Sequence, residues 1–190
     1  VQAGTDVAVL ETTSHALDKG RTLCVDYDVA VITNVTHEHL DWHGSWENYM
    51  GAKSKLFKAL AGSFHKPGTP KVAVINADDR SYEWLKGVSA DLTWVYGLDR
   101  RKQPDIAVEE IEYLQRGTRF IAQTPISDIA VEMNLPGKHN VYNALAAIGA
   151  TLALGAPREA VQQGLAAVEQ IRGRMEWVPE AKTLGFDVVV

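Results

Sequence analysis

Three short apolar runs, each ending in a polar cluster, set the narrowest limit on how this chain folds. Thr5-Asp-Val-Ala-Val-Leu10 leads into Glu11-Thr12-Thr13, Val29-Ala-Val-Ile32 into Thr33-Asn34, and Lys71-Val-Ala-Val-Ile75 into Asn76-Ala77-Asp78-Asp79. Continuous β-branched runs of this length, rather than alternating ones, fit strands covered on both faces. Longer helical patterns separate them. The arrangement predicts an α/β fold, a largely parallel sheet flanked by helices. In such sheets ligands bind outside the carboxyl ends of the strands, which is where the polar clusters fall.

The 190 residues suffice for one large domain, or one domain with an annex. With 24 Asp and Glu against 19 Lys and Arg the net charge is -5, the wrong sign for a protein that lives on a nucleic-acid backbone. The one cysteine, Cys24, excludes a disulfide framework and a cysteine-rich zinc site, and points to a reducing compartment. The longest small-and-apolar stretch, residues 144–156, is too short to cross a bilayer. No basic segment with an apolar core opens the chain. A soluble, cytoplasmic protein with no nucleic-acid or membrane partner is expected.

Residues 45–61 carry the clearest helical pattern: Ser45 is placed to cap it, and Tyr49, Ala52, Leu56, Phe57 and Leu60 recur at helical spacing. Residues 91–131 change character. Strand-like runs at 92–96, 105–111 and 119–122, with a turn residue at Gly117, predict a small antiparallel annex there. Alanine-rich 140–154, punctuated by Gly155 and Pro157, and 158–168 predict two further helices. The apolar Gly185-Phe-Asp-Val-Val-Val190 reads as a strand with no successor, so the chain is expected to be cut from a longer one at both ends.

Lys53 is the most informative single residue. Tyr49, Leu56, Phe57 and Leu60 define one face of their helix and Lys53 falls in the middle of it, whereas Lys55 and Lys58 fall opposite. A lysine in an apolar stripe snorkels outward, pairs with a carboxylate, or loses its proton. A neutral amine has a further option, addition of carbon dioxide to give a carbamate, which would place a carboxylate where the sequence shows a base. The loop after the second run is crowded with His37, Glu38, His39, Asp41 and His43. Its spacing fits either a zinc site or a solvated polar loop. Glu11 stands at another strand end, suited to a hard cation with oxygen ligands or to capping a helix. Asn140 and Asn143 lie near a helix start, where asparagine caps. Arg174 is either a phosphate contact or a surface charge. No G-x-x-x-x-G-K-[ST] loop, the usual triphosphate cradle, occurs in the 190 residues.

Seven segments stand in order along nearly the whole chain: Glu11-Thr-Thr-Ser-His-Ala-Leu-Asp-Lys-Gly-Arg21, Asp28-Val-Ala-Val-Ile-Thr-Asn34, His39-Leu-Asp-Trp-His-Gly44, Tyr49-Met-Gly-Ala-Lys53, Asn76-Ala-Asp-Asp79, Gly137-Lys-His-Asn-Val-Tyr-Asn-Ala-Leu-Ala-Ala147 and Gly173-Arg-Met-Glu176. In this order they resemble the Mur ligases, the ATP-dependent amide-forming enzymes of bacterial cell-wall synthesis. The likeness is greatest to the members that add the third stem-peptide residue, diaminopimelate or lysine, to UDP-N-acetylmuramoyl-L-Ala-D-Glu.

The resemblance implies that residues 1–190 are a central, P-loop-like ATPase domain. The phosphate-binding loop would lie upstream and an amino-acid-binding domain downstream. It implies ATP and magnesium as cofactors, and carbon dioxide held as a carbamate on Lys53. Glu11 resembles the acidic residue that holds magnesium and His39 the histidine that helps hold a second ion; with Lys53 these form the catalytic and metal set. Asn140 and Asn143 match asparagines near the adenine, and Arg174 an arginine near the phosphates. Thr13, Lys19 and Arg21, with Thr12 beside them, match contacts to the UDP-muramoyl-peptide. Lys19 stands where the family usually has glutamine, and Glu38 where it usually has aspartate. The 190 residues alone are expected to be inactive. Two alternatives are folylpolyglutamate synthase or cyanophycin synthetase chemistry on the same scaffold, and a non-catalytic metal-binding module built on the histidine loop.

Overall fold

The computed structural model describes residues 4–36, 40–171 and 183. Its centre is a strand that is buried along its whole length, β2 (Val72–Asn76). Parallel neighbours flank it, β1 (Val29–Val31) and β3 (Leu92–Tyr96), in the order β1-β2-β3 with Val29 opposite Val72 and Val72 opposite Leu92. Successive side chains of a strand point to opposite faces, so β2 serves two cores. Val72 and Val74 join one cluster, while Ala73 and Ile75 join the other.

The second cluster is covered by α3 (Trp46–Gly62). Ser45 caps it as expected, its hydroxyl accepting from the Asn48 amide at 3.1 Å. Tyr49, Phe57 and Leu60 are buried along the anticipated face. Ser54 is buried too, and is satisfied locally by donating to the Met50 carbonyl at 2.7 Å. Three shorter helices are α1 (Ser14–Asp18), α2 (Leu40–His43) and α4 (Tyr82–Leu85).

The first cluster is covered by α5 (Lys138–Ala153), which lies close on the sheet because its inward positions are small. A Cβ added at Gly149 would come within 2.8 Å of Val74 Cγ1. The same cluster takes in an antiparallel sheet, β4 (Ala107–Tyr113), β5 (Thr118–Gln123) and β6 (Ile129–Met133), through Val108, Phe120, Ile129 and Val131. Val161 of α6 (Arg158–Ala166) closes it. The annex therefore shares a core with the parallel sheet, joined to it by a bridge between Tyr96 and Ile106.

Two expectations need correcting. Residues 92–96 belong to the parallel sheet as β3 and not to the antiparallel annex. Residues 5–10 form no strand: Val7 and Leu10 are more than half exposed, Val9 is 94% exposed, and among the described residues no strand pairs with them. Apolar β-branched character favours an extended chain, but a strand also requires a ladder partner to satisfy its backbone. The run at 185–190 lies outside the described residues.

Candidate functional site

The polar ends of the strands are wired together before any ligand is considered. Beyond β1 the chain runs through Ile32, Thr33 and Val35, and each is held. The buried Tyr96 hydroxyl donates to the Ile32 carbonyl at 2.9 Å, and Asn76 Nδ2 donates to the Thr33 carbonyl at 2.7 Å. The Val35 amide donates to Asp79 Oδ1 at 3.3 Å, while Trp46 Nε1 donates to the Val35 carbonyl at 3.2 Å. Burial holds the Tyr96 phenol protonated, so it stays a donor. The Asn76-Ala-Asp-Asp79 cluster thus acts as scaffold for the loop that leads to the histidines.

Asp78 makes the next joint. Its Oδ2 accepts from the Leu98 amide at 2.6 Å, the Asp99 amide at 3.1 Å and the Tyr142 hydroxyl at 2.8 Å. The Lys102 ammonium lies 3.3 Å from Oδ1 as an ion pair. Burial pushes this carboxyl up, but the donors outweigh burial and hold it below the usual carboxylate range. In return, burial and the Asp78 charge push the Tyr142 phenol up. Asp78 therefore ties α5 to the end of β2.

Beside this frame lies a cavity of about 620 Å³, bounded by residues 6–14, β1 with the loop after it, α3, and the far end of α5. Glu11, Thr12, Thr13 and Lys53 all line it, together with Thr33 and Asn34. Glu11 is exposed to it. The Thr13 hydroxyl caps α1 by accepting from the Ala16 amide at 3.1 Å, and the Thr12 hydroxyl donates to the Leu10 carbonyl at 3.3 Å. Lys53 is half-buried, with Nζ 5.1 Å from the centroid of the buried Tyr49 ring, within cation–π range. Lys53 and Glu11 thus line one cavity from different elements.

Other expected site residues are placed elsewhere. Lys19 lies with Nζ 4.6 Å from the Trp42 ring centroid, and Arg21 is exposed; neither lines the cavity. Asn140 is buried and is not the N-cap of α5, a position taken by Gly137. Its Nδ2 donates back to the Pro136 carbonyl at 2.8 Å, and its Oδ1 accepts from the exposed Asn143 at 3.4 Å. This pair also lies off the cavity. His39 and Arg174, with His37 and Glu38, lie outside the described residues.

Oxygen donors at Glu11 and the threonines suit a hard cation in kind. Among the described residues, however, no three His, Cys, Asp or Glu side chains gather as a ready ligand set. Asp28, which also lines the cavity, pairs with Lys66 through one oxygen and with the buried Lys71 through the other, a feature the sequence reading missed. Its one signal was a lysine opening an otherwise apolar strand.

Residues 1–151 match the Mur ligase middle domain family. The chain is 41% identical over 190 residues to the UDP-N-acetylmuramoyl-L-alanyl-D-glutamate--2,6-diaminopimelate ligase of Geobacillus kaustophilus, covering 100% of this chain and 38% of that protein. It is 40% identical over 185 residues to the ligase of the same name from Bacillus velezensis, covering 97% of this chain and 37% of that protein. A solved structure of a UDP-N-acetylmuramoyl-L-alanyl-D-glutamate--2,6-diaminopimelate ligase superposes with a TM-score of 0.80 at 30% identity, over 93% of this chain and 35% of that one. The chain thus spans under two-fifths of the length of these relatives.

Proposed function

The chain belongs to the Mur ligase middle-domain family, and from that premise we propose that it works as the ATP-handling centre of a longer, cytoplasmic ligase. The ligase joins a diamino acid, diaminopimelate or lysine, to the D-glutamyl carboxylate of UDP-N-acetylmuramoyl-L-Ala-D-Glu. The observation that carries the reading is the meeting of Glu11, Thr12, Thr13 and Lys53 on one cavity, although they come from sequence positions about forty residues apart. Among the described residues no helix is long and apolar enough to cross a membrane, which fits a substrate met in water.

In the proposed reaction a carboxylate oxygen of the substrate attacks the γ-phosphorus of ATP, giving an acyl phosphate and ADP. The amine of the incoming amino acid then attacks the acyl carbon and phosphate leaves, with one proton released from nitrogen. A divalent cation, when bound, neutralises charge on the phosphates. Glu11 would hold that ion, with His39 as a further ligand. Thr12 and Thr13 orient the muramoyl peptide from the same corner, with Lys19 and Arg21 just beyond the helix that follows. Asn140 and Asn143 would serve the adenine side of the nucleotide and Arg174 its phosphates. Lys53 acts as its carbamate: the neutral amine adds carbon dioxide, a nitrogen–carbon bond forms and a proton is lost. The product is an anion directed at the cavity.

The deciding experiment uses the full-length gene product with ATP, magnesium, UDP-muramoyl-dipeptide and either diamino acid. Stoichiometric ADP and the tripeptide product are expected. Absence of ligation, or ligation of glutamate to a folate instead, would sink the reading. A carbamate carbon signal from ¹³C-bicarbonate should appear in the native protein and vanish in Lys53→Met. The 190-residue chain by itself should show no turnover.

A further inference from the structure

α1 has five residues, too few to hold itself in water, so its position over the cavity is set by what it packs against. Two of its contacts to neighbouring helices are exposed. Asp18 pairs with Lys55 at 2.7 Å with both side chains more than two-fifths exposed, and Lys19 lies over the half-exposed Trp42. Surface contacts of this kind contribute little. A third polar contact is buried: Ser14 Oγ and His43 Nε2 are hydrogen-bonded at 3.0 Å, the imidazole tautomer deciding which donates. Ser14 directly follows the Glu11-Thr12-Thr13 corner.

His43 is itself fixed from the other side. Its carbonyl accepts from Asn48 Nδ2 in the first turn of α3 at 2.9 Å. Gly44, at φ +73°, then turns the chain into the Ser45 cap, a conformation that favours glycine. The His43 ring lies 5.3 Å from the Tyr49 ring, the same ring that supports Lys53 Nζ. One imidazole therefore touches both walls of the cavity.

We propose that His43 is a positioning residue, which through Ser14 and Tyr49 sets the separation between the Glu11-Thr12-Thr13 corner and Lys53. The inference rests on the ligase reading for its kinetic consequence but not for its geometry. A displacement of about 1 Å between reacting groups costs rate on the order of 100-fold.

The test is steady-state kinetics of the full-length protein carrying His43→Phe, His43→Gln or Ser14→Ala, with thermal unfolding measured alongside. His43→Phe and Ser14→Ala should each lower kcat by roughly 10- to 100-fold, with KM for the muramoyl peptide changed far less. The double variant should be no slower than the worse single, because both remove one contact. His43→Gln, which keeps a hydrogen-bonding group, should recover most of the rate. A folded His43→Phe protein with native kcat, or single effects that multiply, would overturn the proposal. If His43→Phe does not fold, Ser14→Ala and His43→Gln decide by the same criteria. If the native protein ligates nothing, the functional reading falls on its own. Amide hydrogen exchange across residues 14–18 then decides the clamp: faster in Ser14→Ala supports it, unchanged refutes it.

Discussion

Lys71 and Asp28 should respond to truncation very unequally. Lys71 is 1% exposed, and its ammonium donates to the Tyr27 carbonyl at 2.6 Å and pairs with Asp28 Oδ1 at 3.1 Å. Asp28 is better placed, being 18% exposed with the Lys66 ammonium on its other oxygen. Asp28→Ala leaves a buried cation with one neutral acceptor. Orphaning a buried charge costs about 3–5 kcal/mol, and the surviving bond to Tyr27 keeps the expected loss near about 3. Lys71→Met removes the charge that had to be desolvated and leaves Asp28 with Lys66 and water. Its expected cost is the carbonyl left without a donor, about 1 kcal/mol. Urea unfolding at constant m-value measures both. The double variant should sit close to Lys71→Met alone, a coupling of about 3 kcal/mol in magnitude. If Lys71→Met cost as much as Asp28→Ala, the idea that desolvation dominates at this pair would be wrong.

Gly149→Ala should destabilise despite the helix propensity of alanine. The new methyl meets Val74 Cγ1 at 2.8 Å and Ile106 Cδ1 at 3.1 Å. Overpacking costs about 1–3 kcal/mol against a propensity gain of about 1, so a raised Tm would contradict the packing. Ser45→Ala removes the cap on Asn48 and should lose about 1 kcal/mol, with Ser45→Asp retaining most of it by the same unfolding assay. Asp78 should contribute to acid sensitivity. Its folded pKa is depressed, so its contribution is complete above the unfolded value of about 3.9 and is lost as pH falls through the folded value. Asp78→Asn should therefore flatten the stability curve below about pH 4, and an unchanged acid limb would count against the assignment.

The elements legible in the sequence were those whose evidence is local. α3 announced itself through a cap and a repeating apolar face, and β2 through an unbroken apolar run, because both signals are intrinsic to one segment. β3 was assigned to the wrong sheet for the complementary reason. Its residues 92–95 are exposed or only partly buried, as an edge strand's are, and nothing in the segment itself states which neighbour it pairs with. Residues 5–10 show the same limit more sharply, since the chain supplied the β-branched residues but no described strand completes the ladder. The contact between Ser14 and His43 spans 29 residues and left no periodic trace. The histidine loop therefore read as a ligand cluster when one of its members is a buried structural link.

The bland and the functional readings of the site residues turn out not to be exclusive, and counting hydrogen-bond capacity shows why. A threonine hydroxyl has one donor and two acceptor positions. As the cap of α1, Thr13 spends one acceptor on the Ala16 amide, which leaves its proton and a lone pair for a ligand on the cavity side. Capping therefore orients the hydroxyl rather than consuming it. Asn140 is the opposite case. Its amide gives one hydrogen to Pro136 and its oxygen takes one from Asn143, and what capacity remains is inside a 6% exposed side chain. Asn143 is the exposed member of the pair, and its Nδ2 donates to the buried Asn140 Oδ1 behind it. Lys53 falls between the two. It is half-buried on the face that sequence phase required, with Nζ over the Tyr49 ring, and it still lines the cavity, so a place on the apolar face and a place at the site coincide in one residue.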